Sequence, residues 1–335
     1  MSFGKLVERL LHLIPVLLGV SVIVFAMMTL TPGDPVDIMI GEQSVTPEQE
    51  AVLRHDLGLD LPVYQRFFVF LGNAVQGDFG LSFYHRRPVL DIIAERLPAT
   101  IELSLVALII ALATAIPLGV LAAIRKNSIF DKIATVGSLL GVSLPGFWFG
   151  ILLLMLFAVH LHILPVSGRI GFDSEVEPIT HLLLVDSLLR GRFQAFLDAL
   201  SHIILPAITL GLPMTAILMR VTRTSMLEVL RQDYITFAEA KGLDRSRILF
   251  RHALKNALIP TVSVAAIETG SLLGGNMIVE TVFGWPGLGR LVVESIFLRN
   301  YPLVQAAVLF YAVTYVLLNF VADILYTVLN PRVKL

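Results

Sequence analysis

The chain has 335 residues, of which 56% are hydrophobic and 15% charged, with a formal net charge of −1. Soluble domains carry about 25% charged residues, so this composition, with a mean hydropathy of +0.81, predicts a membrane protein, and the balanced charge argues against a nucleic-acid partner. The absence of cysteine excludes disulfides, thiolate-bound zinc, iron–sulfur clusters and a cysteine nucleophile.

A membrane-crossing helix needs about 20 mostly apolar residues. Six stretches qualify, at 10–30, 100–123, 134–160, 203–222, 257–279 and 303–326. They predict an all-α membrane protein with about six transmembrane helices in one domain spanning 1–335. The first run follows Lys5 and Arg9, as a signal peptide would. It is too long for one, however, and leads into Thr31-Pro32-Gly33-Asp34-Pro35 with no small-residue cleavage pattern. It is expected to remain as the first span.

Residues 32–99 form a long first loop with helix punctuation of its own. Thr46-Pro47-Glu48-Gln49 reads as an N-cap, a proline at the first helical position and a capping-box partner, and Gly58 reads as the stop. Pro62 then opens a second amphipathic pattern, Tyr64, Phe67, Phe68 and Leu71. The loop is expected to be a folded cap that either seals the outer mouth or touches a delivered substrate or binding protein.

The third run ends near His160 and His162. Two residues apart, they do not share a helical face, which favours an interfacial role over a metal pair. The segment His181–Asp186 is apolar but too short to cross, and is expected on the surface or packed in a loop. Pro206 and Pro213 interrupt the fourth run; spans tolerate proline where neighbouring helices satisfy the backbone. Trp148 and Trp285 suit interfacial or packing positions.

Residues 223–256 form a short, basic, charge-rich loop. Met226, Leu227, Val229, Leu230, Tyr234, Phe237 and Ala238 suggest one helical apolar stripe. Gly242 can take the left-handed conformation that ends a helix, and Asp244 can cap a second helix carrying Ile248, Leu249 and Ala253. Physics alone leaves two readings open: a basic amphipathic segment on anionic lipid, or one seated in a partner's groove.

In the fifth run Glu268 stands within Ala265-Ala266-Ile267-Glu268-Thr269-Gly270-Ser271. An intramembrane carboxylate is costly and usually faces a cavity or a partner. Glu268, with Ser271 and Asn276, is expected along a translocation pathway, where the carboxylate would meet the cationic amino end of a peptide; the alternative is a Glu packed between helices. Gly270 and Gly274 have the small-residue spacing of close helix packing. In the sixth run Asn319 and Asp323 share a face and are expected to make inter-helix or loop contacts.

Orientation follows from lysine and arginine. With the N-terminus inside, the short cytoplasmic loops and termini hold Lys5, Arg9, Arg125, Lys126, Lys132, the basic residues of the 223–256 region with Arg220, and Arg332 and Lys334. This density places both termini in the cytoplasm.

Several motifs recur in order along the chain. They are Pro32-Gly33-Asp34-Pro35, Leu57-Gly58-Leu59-Asp60, Gly77-Asp78-Phe79-Gly80, Arg96-Leu97-Pro98-Ala99-Thr100, Ser225–Leu230, Glu280–Gly289 and Asn330-Pro331-Arg332. Within the charged loop stand Asp233-Tyr234-Ile235, Ala238-Glu239-Ala240-Lys241-Gly242-Leu243 and His252-Ala253-Leu254-Lys255-Asn256-Ala257. The set resembles the membrane subunits of ABC importers in the peptide and nickel branch. The general Glu-Ala-Ala signature is replaced here by Thr236-Phe237-Ala238. The segment Pro165-Val166-Ser167-Gly168-Arg169 looks most like the dipeptide permeases.

The resemblance implies an ABC importer type I permease fold and a role in binding-protein-dependent peptide import at a bacterial inner membrane. Its coupling segment would dock on an ATPase subunit through Tyr234, Ala238, Glu239, Ala240, Lys241, Gly242, Leu243, Asp244 and Arg245. The implied partners are a second, homologous permease subunit, two ATP-binding subunits, an extracytoplasmic binding protein, membrane lipid and a peptide substrate. No phosphate-binding loop of the Gly-x-x-x-x-Gly-Lys-Ser/Thr type occurs. ATP and magnesium would therefore be bound by partners, and this chain is expected to hold no cofactor and to catalyse no reaction. Oligopeptides, glutathione, nickel and haem-like compounds are alternative cargoes. An ion-driven secondary transporter would predict several coupling carboxylates and an internal repeat. An intramembrane enzyme would predict a motif such as His-Glu-x-x-His or Gly-x-Ser-x-Gly, and neither occurs.

Overall fold

The computed structural model describes residues 3–30, 36, 40, 46–56, 58–174, 176–273 and 277–329. Among these all the regular secondary structure is helical, with no strand beyond an isolated bridge between Leu81 and Pro88. The helices are α1 (Phe3–Leu30), α2 (Pro47–Asp56), α3 (Val63–Val75), α4 (Val89–Ile124), α5 (Ile129–Ser143) and α6 (Gly146–Leu153), which runs into a π-helical stretch, Leu154–His160. There follow α7 (Leu183–Leu189), α8 (Phe193–Val229), α9 (Asp233–Ala240), α10 (Leu254–Leu273), α11 (Met277–Val282), α12 (Leu288–Phe297) and α13 (Tyr301–Leu329).

The core is the crossing of α4 with α8. Every fourth residue of α4 from Ala99 presents a small or apolar group, namely Ala99, Leu103, Ala107, Ala111, Ala115, Gly119 and Ala123, and all are buried. A spacing of four places successive members on adjoining turns of one slowly winding row, and small side chains let two backbones approach closely. The fit is tight: a β-carbon on Gly211 of α8 would lie 3.0 Å from the Ala107 carbonyl oxygen, and one on Gly119 2.8 Å from that of Met219. Leu205, Ala207, Leu210, Met214 and Leu218 complete the α8 side.

The expected fourth span, the least regular in the sequence, is in the structure a 37-residue helix containing both prolines. With 61% of its most apolar window buried, it is the most enclosed of the long apolar helices. Its neighbours α4, α5, α6 and α10 pack around it, the setting in which spans tolerate proline. The second span also begins earlier than expected, at Val89 rather than near residue 100, with Pro98 inside the helix.

Among the described residues three helices are long and apolar enough to cross a bilayer: α4, α8 and α13 as far as Val321. The expected single span 134–160 is broken. α5 and the α6 stretch meet at a bend of 106°. The cause is local: Pro145 cannot donate to a continuing helix and holds Leu144 extended, at φ −76° and ψ 132°. The expected fifth span, 257–279, divides into α10 and α11, and residues 274–276 between them lie outside the described residues.

In the first loop the described residues from 46 onward carry α2 and α3. Thr46 Oγ1 accepts from the Gln49 amide at 3.3 Å, and Gln49 Oε1 accepts from the Thr46 amide at 3.0 Å, closing the capping box. Gly58 ends the turn at φ +63°. The cap docks on α1 through Phe25, whose ring lies 5.4 Å from Phe67 and 5.8 Å from Phe70. Tyr64 and Phe68, expected on the inner face, are exposed. Behind the cap, the buried Asn300 side chain accepts from the Phe83 amide at 3.2 Å and donates to Ser82 Oγ at 2.6 Å, tying the loop to the start of α13.

Candidate functional site

The 223–256 segment folds back on the ends of α4 and α8. The helix breaks at Leu230–Gln232 and restarts at Asp233, which resets its phase. The single apolar stripe expected from the sequence is therefore two. Met226, Ile235 and Ala238 turn inward against Val120, Ala123, Ile248 and Ala253, while Tyr234 and Phe237 turn outward. Ile235, absent from the expected stripe, is 1% exposed and anchors α9.

The turn that follows is as the sequence suggests. Gly242 has φ +74°, and its amide donates to the Glu239 carbonyl at 2.9 Å. Nothing lies within 4 Å of where its β-carbon would be, so only the backbone conformation demands glycine here. Asp244 Oδ2 accepts from the Ser246 amide at 2.9 Å and the Arg247 amide at 3.4 Å. The helix it caps is not a separate short one. One turn, Arg245–Arg247, becomes a π-helical stretch, Ile248–Ala253, and continues into α10. The turn is thus joined to α10 by one continuous helical rod.

Of the nine residues expected to couple, Tyr234, Glu239, Ala240, Lys241, Gly242, Asp244 and Arg245 are exposed, Leu243 is half-buried and Ala238 is buried. Ala238 thus supports the surface rather than forming it. Lys241 Nζ sits 4.5 Å from the centroid of the exposed Phe237 ring, a cation–π pair. The Tyr234 hydroxyl accepts from Asn256 Nδ2 at 2.9 Å, pinning α9 to α10. Glu239, Leu243 and Arg245 also line a groove of about 460 Å³ against Ala123 and Ile124. Arg223, at the exit of α8, holds Asp131 of α5 through Nη2 at 2.8 Å. The surface presents aromatic and cationic groups around a fixed turn on a rigid base, suited to a partner's groove.

Glu268 is half-buried on α10, and among the described residues it has no hydrogen-bond or ion-pair partner. It lies between the two places where α10 is fastened. The Leu272 carbonyl accepts from Ser104 of α4 at 3.2 Å, and Thr261 meets Thr222 of α8 at 3.0 Å. Ser271 is exposed one turn further on, and Asn276 lies outside the described residues. Gly270 is packed, as its spacing suggested, with its β-carbon position 3.8 Å from Leu318 Cβ of α13. Asn319, beside it, donates to its own helix at the Tyr315 carbonyl, 2.9 Å away; the side chain of Asp323 lies outside the described residues. The His162 ring turns to the His160 carbonyl at 3.2 Å. Trp148 is half-exposed and Trp285 is 1% exposed, one at the surface and one in the core.

Two carboxylates that the sequence reading passed over organise the end of the bundle nearest the cap. Glu280 is fully buried. It accepts from Thr100 Oγ1 at 2.8 Å and from the Arg290 amide at 3.0 Å, while Thr100 Oγ1 accepts from the Leu288 amide at 2.8 Å. Trp285 Nε1 donates to the Ala99 carbonyl at 2.9 Å. The Glu280–Gly289 motif is thereby locked to the start of the second span. A β-carbon at Gly287 would collide with the Glu280 carboxylate. Glu102, also buried, receives Arg169 Nη2 at 2.7 Å and the Leu184 amide at 2.6 Å. This fixes the 160–182 segment and α7 against α4. Of the segment expected as a packed loop at 181–186, residues 183–186 open α7, where burial of Asp186 opposes its ionisation but bonds from Thr180 and Ile179 outweigh it and hold the carboxyl below the ordinary carboxylate range.

Residues 115–335 match the family described as binding-protein-dependent transport system inner membrane component, and residues 2–104 match the N-terminal component of the same systems. The chain is 46% identical over 327 residues, 98% of this chain and 97% of the other, to the di/tripeptide transport system permease protein DppB of Pseudomonas aeruginosa. It is 44% identical over 332 residues, 98% of each chain, to the dipeptide transport system permease protein DppB of Escherichia coli K12. The glutathione transport system permease protein GsiC of the same strain is 38% identical over 328 residues, again 98% of each. With an all-helical bundle, long apolar helices and a family match over most of its length, this chain belongs to the inner-membrane permease components of binding-protein-dependent ABC importers.

Proposed function

We propose that this permease passes dipeptides and other short peptides across the cytoplasmic membrane. The observation that carries the reading is near-full-length similarity to two permeases named for dipeptide and di/tripeptide transport. The work is mechanical: the chain shares a pathway with a second, homologous permease subunit, and an extracytoplasmic binding protein delivers the cargo. Two partner subunits bind ATP and magnesium and hydrolyse the ATP; this chain binds neither. The exposed turn from Tyr234 to Arg245 docks on one ATPase subunit, and the continuous rod through Ile248–Ala253 into α10 transmits its movement. Glu268, with Ser271 and Asn276, lines the pathway and attracts the peptide's amino group. Both termini face the cytoplasm, as the lysine and arginine density supports.

Uptake of a labelled dipeptide is the test, in cells lacking only this gene and again after its restoration. Loss on deletion and rescue on return are expected. Unchanged uptake in a strain with no other peptide importer would reject the dipeptide reading. Glutathione is run in parallel, because the similarity to a glutathione permease favours it as the second cargo.

A further inference from the structure

Between α1 and the α12–α13 corner lies a cavity of about 340 Å³. Its walls are Met27, Met28, Val304 and Val308, with Ile296 and Arg299 at the corner. The hydrocarbon wall continues outside the cavity as exposed Ile23, Met27, Ile296 and Phe297, the last 82% exposed. In a membrane protein such a band is covered by acyl chains rather than by water.

Ser295, Tyr301 and Arg299 also line the cavity. The Tyr301 hydroxyl is buried without a hydrogen-bond partner among the described residues, a loss of roughly 1–3 kcal/mol for a buried polar group. Arg299 is exposed, and among the described residues its guanidinium has no carboxylate or carbonyl partner. Its backbone sits at φ +51°, a conformation costly for a residue with a β-carbon and cheap for glycine. The next residue, Asn300, is held by Ser82 and Phe83, so the corner cannot relax. A strained backbone at an unpaired cation points to a use for that cation.

We infer that this corner binds one phospholipid of the leaflet on the cap side, with an acyl chain in the cavity and the phosphate on Arg299. The dimensions and chemistry match the two halves of such a molecule: a dry hydrocarbon slot opening toward the bilayer, and an arginine at its rim, the side chain best shaped for phosphate. This inference is independent of the cargo.

The test uses the full-length chain in the membrane complex from which it is purified, by native mass spectrometry in detergent titrated with phosphatidylglycerol. Arg299→Gly removes the cation while relieving the backbone, so the variant should fold at least as stably as wild type. Loss of the phosphate contact is expected to weaken retention of one lipid about tenfold. Val308→Phe, which fills the slot with Arg299 intact, should lose the same lipid. Equal lipid retention in wild type and Arg299→Gly would overturn the inference. So would competition by inorganic phosphate alone, which would make this a free-anion site.

Discussion

Thr100 and Glu280, 180 positions apart, share a buried hydrogen bond of 2.8 Å, and the same threonine oxygen receives the amide of Leu288. One hydroxyl thus serves as donor and acceptor at the point where the second span, α11 and α12 meet. Thr100→Val keeps the shape and removes both bonds. Each buried partner left unsatisfied costs about 1–3 kcal/mol. A clear fall in the melting temperature of the purified protein is expected, with Thr100→Ser close to wild type; equal melting of the valine variant would show that the bond contributes nothing.

Arg169 and Glu102 form a largely buried pair, with side-chain exposures of 19% and 5%. Removing one partner leaves a buried charge, which costs about 3–5 kcal/mol, whereas replacing both with apolar or neutral groups is much milder. Arg169→Ala should therefore expose the 160–182 segment to limited proteolysis. The double variant Glu102→Gln, Arg169→Met should restore protection, and if it is cut as fast as the single variant the ion pair is not what holds the segment.

Gly242 adopts its left-handed conformation in open space, so substitution acts through the backbone alone, at roughly 1 kcal/mol or more. Gly242→Val is expected to reach the membrane in normal amount and to leave the ATPase of the complex running while uptake collapses. Asn tolerates this conformation better, so Gly242→Asn should be milder. Normal uptake by the valine variant removes the coupling role.

Glu268 has no partner among the described residues to hold it for purely structural reasons. Glu268→Gln preserves its size and removes its charge. Peptide uptake should slow several-fold, most for peptides with a free amino terminus and least for amino-blocked ones, with melting temperature unchanged. Wild-type uptake with the same preference would exclude the carboxylate from the pathway.

Asp186 supports stability through ionisation. Its carboxyl lies below the ordinary range in the folded chain, so its contribution is fully present above the unfolded value of about 3.9 and is lost as pH falls through the lower, folded value. Acid unfolding of Asp186→Asn should be shallower below about pH 4 than that of wild type. Parallel profiles would show that other groups control this limb.

Composition, apolar runs and capping residues determined the class of this chain. Thr46, Gly58, Gly242 and Asp244 act locally, through one or two backbone groups each, so their roles are legible without a partner in space. The sequence also located the turn at Gly242. It did not reveal the inward role of Ile235, because the helix break at Leu230–Gln232 resets the angular phase on which a stripe is counted. Nor did it show the bend at Pro145: the chain runs on as helix through both prolines of α8, whereas Leu144 turns extended before Pro145 and breaks the third span. Glu102 and Glu280 were also hidden, since a carboxylate in an apolar run reads alike whether it faces a pathway or a hydrogen-bonding partner. Those partners, Arg169 and Thr100, are 67 and 180 residues away, and only the close α4–α8 crossing and the return of α11 bring them within reach.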